Sequence, residues 1–433
     1  MPGFSCVCSQ NNGLRFVVVN IGSSSYSINP DQLFAIEMTR VGIIGNGVAA
    51  TSAIRELKNL DNELEIEVFG DERHAYYPKP NLMEYVGGKR TQKEVIRYDR
   101  DWYENQGITL HLATPVTHID AGIRSLTTPS KIFTGYDSLL IAVGSYPFVP
   151  PFEGLDKKNV HVLRTFDDAI DIKEAVAGAG REIIVGGGIL GVELAAGIKR
   201  IGGDPIVVTN VDRLLPIQLD GGASEILRMH LDKMGITTLM GFTCQGIIGD
   251  DTASGVISSA GDSIDGNLVV IATGVRSNVE LARKSNLTIR RGIEVDRYMQ
   301  TSAPKIYAAG DCAECDGEWY GIIPWALETS RIAARNMIDH GSARFESFNP
   351  ANTLKVAGID LTSVGKVHVE TPEFEQIISV DRDNGTYYKV VTKDNKVVGG
   401  ISLGSRKVAM RIRQLVSQKA DVTDVRGSVF ESE

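Results

Sequence analysis

Two glycine-rich hexapeptides carry the clearest chemistry in this sequence. Gly45-Asn46-Gly47-Val48-Ala49-Ala50 follows an apolar run at 41–44, and Gly186-Gly187-Gly188-Ile189-Leu190-Gly191 follows another at 183–185. In such a loop the first glycine makes a tight turn and the second lets a pyrophosphate approach the backbone. The small third residue lets helix and strand pack closely. Free N–H groups at the start of the following helix then face the phosphate charge. After the first loop, a strand at 65–69 ends on Gly70-Asp71-Glu72, where Asp71 can hydrogen-bond a ribose diol. Two complete fingerprints imply two dinucleotides, one tightly held and one exchanging: FAD and NAD(P)H. A third run, 301–311, reads T-x-x-x-x-I-Y-A-A-G-D. It delivers Gly310-Asp311 from a strand end, where Asp311 can accept a hydrogen bond from a ribityl hydroxyl.

The second loop departs from the pattern at its acidic position. The strand at 205–208 ends on Thr209-Asn210. A 2′-phosphate would meet no carboxylate there, and Arg213 lies close enough in sequence to offer a positive charge. This leaves the choice between NADH and NADPH open, leaning to relaxed or NADPH use. Cys312-Ala313-Glu314-Cys315 is a lone C-x-x-C at a predicted helix start. Without a second pair it is weak evidence for zinc, and both cysteines read as structural. The seven histidines show no ligand spacing, so no metal site is expected.

These loops need elements to hold them. At about 150 residues per domain, 433 residues suggest three domains. With 42% hydrophobic and 23% charged residues the composition is globular, which excludes wholesale disorder, collagen and coiled coil. No apolar run reaches the ~18 residues of a membrane span. A net charge of −9 argues against nucleic acid as a partner. Five cysteines are no disulfide framework and fit a reducing cytoplasm.

The expected fold class is α/β: two Rossmann-like dinucleotide-binding domains plus a C-terminal α+β interface domain. Residues 38–147 and 275–341 form the FAD domain, 148–274 the NAD(P) domain and 342–433 the C-terminal domain. Residues 1–37 read as a disordered or non-native extension. They contain one Arg, no Lys, and Cys6 and Cys8. In the last domain, alternating strands at 353–356, 377–380, 387–391 and 397–401 are separated by Asp383-Asn384-Gly385 and Asp394-Asn395 turns. Their apolar faces read as core or as the surface of a homodimer. A helix at 405–417 carries Arg406, Lys407, Arg411 and Arg413 on its outer side, an expected docking surface for an acidic carrier.

From Met38 to residue 420 the chain resembles the FAD-dependent pyridine nucleotide-disulphide oxidoreductases. Among them it is similar to the rubredoxin-, ferredoxin- and nitrite-reductase-type NAD(P)H reductases. The resemblance rests on 41–50, 70–72, 139–154, 163–168, 185–195, 213–220, 272–278, 301–312 and 323–336. It implies FAD contacts at Gly45, Gly47, Ala49, Asp71, Lys79, Val116, Asp311 and Ile323. NAD(P)H would lie on Gly186, Gly188 and Gly191, with Glu193 as the catalytic residue beside the nicotinamide. It also implies that the helix beginning near Pro324 aims its N-terminus at the flavin, and that the C-terminal domain covers one side of it.

Three departures stand out. Lys79 replaces an Arg, Glu84 replaces a Lys and Ser277 replaces a Pro. Thiol-dependent members need cysteines near the flavin, yet none lies between Cys8 and Cys244, and Pro80 occupies the peroxidase Cys position. The implied function is hydride uptake from NAD(P)H and electron delivery to a small carrier such as rubredoxin or ferredoxin. The alternatives are a slow signalling flavoprotein resembling apoptosis-inducing factor, and an NAD(P)H oxidase.

Overall fold

Short apolar runs bounded by glycine form parallel strands here, because a strand buried on both faces has no polar side to present. The computed structural model describes residues 39–348, 351–423 and 429–430, plus the short strand pair Gln10–Asn11 and Leu14–Arg15. Cys6 and Cys8, and the reading of most of 1–37, lie outside the described residues. Five helices matter below: α1 (Val48–Leu60), α2 (Ile189–Arg200), α3 (Gly221–Lys233), α4 (Ile323–Ile338) and α5 (Arg406–Gln418).

The two loops sit in repeated units. In the first, a five-stranded parallel sheet runs Ile306–Ala308, Ser138–Ile141, Arg40–Ile44, Glu65–Phe69, Ile108–His111. In the second the order is Val160–Val162, Leu268–Ile271, Glu182–Val185, Pro205–Thr209, Thr237–Met240, again parallel. The repeat extends to single hydrogen bonds. Gly45 N–H donates to Phe69 O at 2.8 Å, and Gly186 N–H to Val208 O at 2.8 Å. Between the units, Ser145–Pro147 pairs antiparallel with Val275–Ser277.

The C-terminal domain is a five-stranded antiparallel sheet, ordered Ala351–Val356, Ile359–Gly365, Lys396–Leu403, Thr386–Lys393, Phe374–Asp381. Its Ile359–Gly365 strand is not among the strands expected from the sequence. The Asp394-Asn395 turn has positive φ at both residues (51° and 59°), which suits a two-residue hairpin of right-handed twist. One face of the sheet, with Leu361, Tyr387, Ile401 and Leu403, packs on Ile226 and Leu231 of α3. The other face is covered by Val408, Ile412 and Leu415 of α5. Among the described residues no C-terminal residue lines the cavities described below, and α5 lies on the far side of its sheet from the second nucleotide domain. The cause is the distribution of apolar surface, since each face of the sheet buries itself against a different neighbour. No helix among the described residues is long and apolar enough to cross a membrane.

Candidate functional site

The first glycine of each loop sits where a side chain cannot. Gly45 has φ of +105°, and a Cβ there would stand 2.3 Å from Ala142 O. Gly186 has φ of +133°, with Ala272 O at 2.2 Å. Gly191 is as tight, with Gly186 O at 2.0 Å from a built Cβ. Ala50 occupies the matching place in the first loop and is fully buried. The second glycines differ in kind. Built Cβ atoms on Gly47 and Gly188 meet nothing within 4 Å. Neither loop's own packing therefore demands glycine there, whereas a pyrophosphate lying against the backbone would.

Beside the first loop lies a cavity of about 490 Å³. Gly45, Gly47, Asp71, Lys79 and Val116 all line it. A second cavity, of about 280 Å³, adjoins it and shares Gly47, Tyr77, Lys79 and Arg164. Ala49, Asp311 and Ile323 line this second space, as do Leu190 of α2 and Ala272 and Gly274 at the end of the second sheet. Ends of both nucleotide units thus converge on one cavity. The N-terminus of α4 opens there, with Gly321, Ile322 and Ile323 in the lining and Pro324 in the first turn. That places the positive end of a helix dipole at the cavity wall.

Asp311 is held by its neighbours. It follows the strand Ile306–Ala308 in a 3₁₀ turn, Gly310–Cys312. Ser145 Oγ donates to its Oδ2 at 2.8 Å, and Trp319 Nε1 donates to its backbone carbonyl at 2.7 Å. Arg164 Nη2 lies 3.8 Å from Oδ2. Lys79 donates to Glu72 Oε1 at 2.9 Å and to the Tyr77 hydroxyl at 3.0 Å, while Tyr77 donates to Glu72. Burial lowers the pKa of Lys79 and outweighs the attraction of Glu72. With Glu72 engaged by these partners, Asp71 is the exposed carboxylate at this strand end. Arg164 lines both cavities yet was not among the site residues expected from the sequence. No local spacing marks it. It precedes Thr165, which caps the helix Phe166–Val176, and only the docking of that helix brings it to the cavity.

Glu193 lies elsewhere. It does not line the cavity, although Leu190, one turn earlier, does. Its Oε1 accepts a hydrogen bond from the Ala357 N–H at the tip of the first C-terminal hairpin. Burial raises its pKa. His230 of α3 bonds the carbonyl of the same residue, at 2.9 Å. Glu193 and His230 therefore hold the Ala357 turn from both sides. Arg213 pairs with Asp212 at 3.0 Å, and its Nε is buried without a partner. Thr209 packs against the loop, its Cβ 3.0 Å from a Cβ built on Gly187.

The three described cysteines, Cys244, Cys312 and Cys315, are buried and unpaired as disulfides. Cys312 is in the 3₁₀ turn and Cys315 ends a strand, Ala313–Cys315, so no helix starts here to favour a thiolate. Burial pushes Cys312 up to about 11 and Cys315 up to about 12. Cys312 points its thiol at Ala309 O, 3.3 Å away. Among the described residues no cysteine lines either cavity.

Residues 39–340 match the family model described as pyridine nucleotide-disulphide oxidoreductase. The chain belongs to that family. Residues 350–420 match the model described as rubredoxin NAD+ reductase C-terminal domain. The chain is 33% identical over 383 residues to a nitrite reductase [NAD(P)H] of Bacillus subtilis, covering 88% of this chain and 48% of that protein. It is 30% identical over 406 residues to an NADH oxidase of Methanocaldococcus jannaschii, covering 86% and 89%. The crystal structure of NADH:rubredoxin oxidoreductase from Clostridium acetobutylicum superposes with a TM-score of 0.75 at 26% identity, over 90% of this chain and 97% of that one. The chain spans about half the length of several curated relatives, including the nitrite reductase. It has the two dinucleotide-binding units and the C-terminal domain that those matches span.

Proposed function

We propose that this chain takes hydride from NAD(P)H and passes the electrons singly to a small iron–sulfur or rubredoxin-type carrier protein. One observation carries the reading: a single cavity is walled by the ends of both glycine-loop units, and among the described residues no cysteine lines it. FAD, when bound there, is the group that accepts a hydride and releases electrons one at a time. Each NAD(P)H then yields NAD(P)⁺, one proton and two reduced carriers. Among the described residues no cysteine lines the cavity to relay electrons. The relative from Clostridium acetobutylicum is an NADH-rubredoxin oxidoreductase, which supports the class of carrier. Cytoplasmic location and a homodimer belong to the same reading, and light scattering in solution reads the dimer.

In this reading Gly45, Gly47 and Ala49 take the FAD pyrophosphate, Asp71 the ribose, Val116 the adenine and Asp311 the ribityl chain. Lys79 and Arg164 supply positive charge near the phosphates. Gly186, Gly188 and Gly191 take the nicotinamide dinucleotide. Glu193 acts one turn behind the cavity. By anchoring the Ala357 turn it steadies α2, whose Leu190 borders the nicotinamide space, so we assign it as a positioning residue.

Stopped-flow reduction by NADH and NADPH, followed by oxidation with rubredoxin, ferredoxin or oxygen, tests the function. Rapid flavin reduction followed by faster reoxidation with a carrier than with air is the expected result. Rapid oxidation in air with peroxide release would establish an oxidase instead. Asp311→Ala should weaken FAD retention by about 0.5–1.5 kcal/mol, or up to ~3 if the lost hydrogen bond is charge-assisted. Flavin loss on dilution, followed by fluorescence, measures this. Unchanged retention would remove Asp311 from the site.

A further inference from the structure

Beside the flavin cavity, and with no residue of the second nucleotide unit in its lining, α1 and α4 leave an open groove of about 610 Å³. We propose that this groove is the docking surface for the carrier protein, and that its occupant is a small, acidic, one-electron redox protein. The inference rests on the function proposed above and names the place where that partner binds.

Proximity is the first argument. Val48, Tyr76 and Pro78 line both the groove and the cavity. One layer of side chains therefore separates a docked partner from the space where both nucleotide units converge. The neighbouring Pro324 and Leu327 extend the groove along α4 from its N-terminal turn, the turn that opens on the cavity.

Charge is the second. Arg55, Arg97 and Arg331 line the groove. Arg55 and Arg97 are exposed, and neither has an ion-pair partner among the described residues. Arg97 lies over the Tyr98 ring at 5.7 Å, which holds its guanidinium at the rim without neutralising it. The groove's two carboxylates are already committed: Glu328 pairs with Arg331 at 3.0 Å, and Glu56 pairs with Arg335. The whole chain carries a net charge of −9, so an acidic partner is repelled by most of the surface. A local cationic groove then sets both the orientation and the rate of encounter. Leu327, 44% exposed, supplies an apolar contact of the sort found at the centre of a docking patch.

The basic side of α5 is the obvious competitor. Arg406, Lys407 and Arg413 are exposed there. They lie on the outer face of the C-terminal sheet, and no α5 residue lines the groove or either cavity. A carrier bound on α5 would sit behind a whole sheet.

The test uses the FAD-loaded full chain with an acidic [2Fe–2S] ferredoxin and an acidic rubredoxin as probes. NAD(P)H-driven reduction of each carrier is measured against reduction of a neutral quinone on the same sample. The R55E/R97E double variant should lower the carrier-to-quinone ratio of kcat/KM about tenfold at about 0.05 M salt. The loss should fade by ~0.5 M, where screening is complete within a few ångströms. R406E/R413E should keep the wild-type ratio. Calorimetric titration of the oxidised carrier should show the same order of affinities without turnover. An unchanged ratio in R55E/R97E, or a loss confined to R406E/R413E, overturns the proposal while leaving the function standing. A wild-type protein that reduces the quinone but neither carrier overturns the function and this surface together.

Discussion

Gly188→Ala should fold, keep its FAD and raise the KM for NAD(P)H at least tenfold, about 1.4 kcal/mol of binding. The backbone at Gly188 has φ of −79°, which alanine adopts freely, and a Cβ there meets no protein atom within 4 Å. The added methyl can disturb only something that enters from outside, which the proposed function makes a pyrophosphate. Gly186→Ala should behave in the opposite way. With φ of +133° and Ala272 O at 2.2 Å, the methyl collides with backbone that carries the neighbouring strand, so the protein should melt earlier even without nucleotide. Gly47→Ala mirrors Gly188→Ala on the other unit, since a Cβ there also meets nothing within 4 Å. It should lower FAD content while leaving the apoprotein's melting temperature near wild type. Flavin absorbance, steady-state kinetics and calorimetric melting separate the three variants. Loss of FAD in Gly188→Ala, with retention in Gly47→Ala, would show that the assignment of the two units is reversed.

Lys389→Met should destabilise the attachment of the C-terminal domain by about 3–5 kcal/mol, the usual effect of removing one partner from a buried ion pair. Lys389 Nζ lies 2.8 Å from Asp220 Oδ2, and its side chain is only 3% exposed. Asp220 has two further duties: it accepts from Ala223 N–H to cap α3, and from the Tyr387 hydroxyl at 2.7 Å. Burial raises its pKa, but the Ala223 N–H, Lys389 and Tyr387 together outweigh that and leave it below the ordinary aspartate value. A carboxylate depressed in the folded state stabilises above its unfolded pKa and loses that contribution as pH falls through the folded value. Wild-type stability from this cluster is therefore full at neutral pH and lost below about pH 4. Asp220→Asn should be less stable at pH 7 and should lose less than wild type on acidification from pH 5 to pH 3. Melting followed by calorimetry reads both. Equal acid sensitivity in the two proteins would mean that Asp220 is not the titrating group.

The two loops were legible in the chain because their chemistry is local. A strand, a glycine turn and a helix are consecutive in sequence. The requirement for positive φ at Gly45 and Gly186 and the small residues at Ala50 and Gly191 are set by contacts among near neighbours. The same holds for the expected turn at Asp394-Asn395. The strand at Ile359–Gly365 escaped because Ser363 and Val364 reverse its apolar alternation, and the polar Thr362 and Ser363 are both buried once the sheet closes around them.

Long-range packing decided the rest. Glu193 follows the second loop as the resemblance requires, but its carboxylate is taken by Ala357, 164 residues away. Arg164 reaches the cavity only because a capped helix docks between the two units. The basic residues of α5 satisfy every helical spacing rule for an outer face, and the sheet beneath them turns that face away from the cavity. By itself the sequence determined the two nucleotide-binding units, because a backbone turn and a close approach are written in residue type over a few positions. The tertiary structure alone decided which charges meet the cavity, because an ion pair or a hydrogen bond is settled by whichever partner packing brings within about 3 Å.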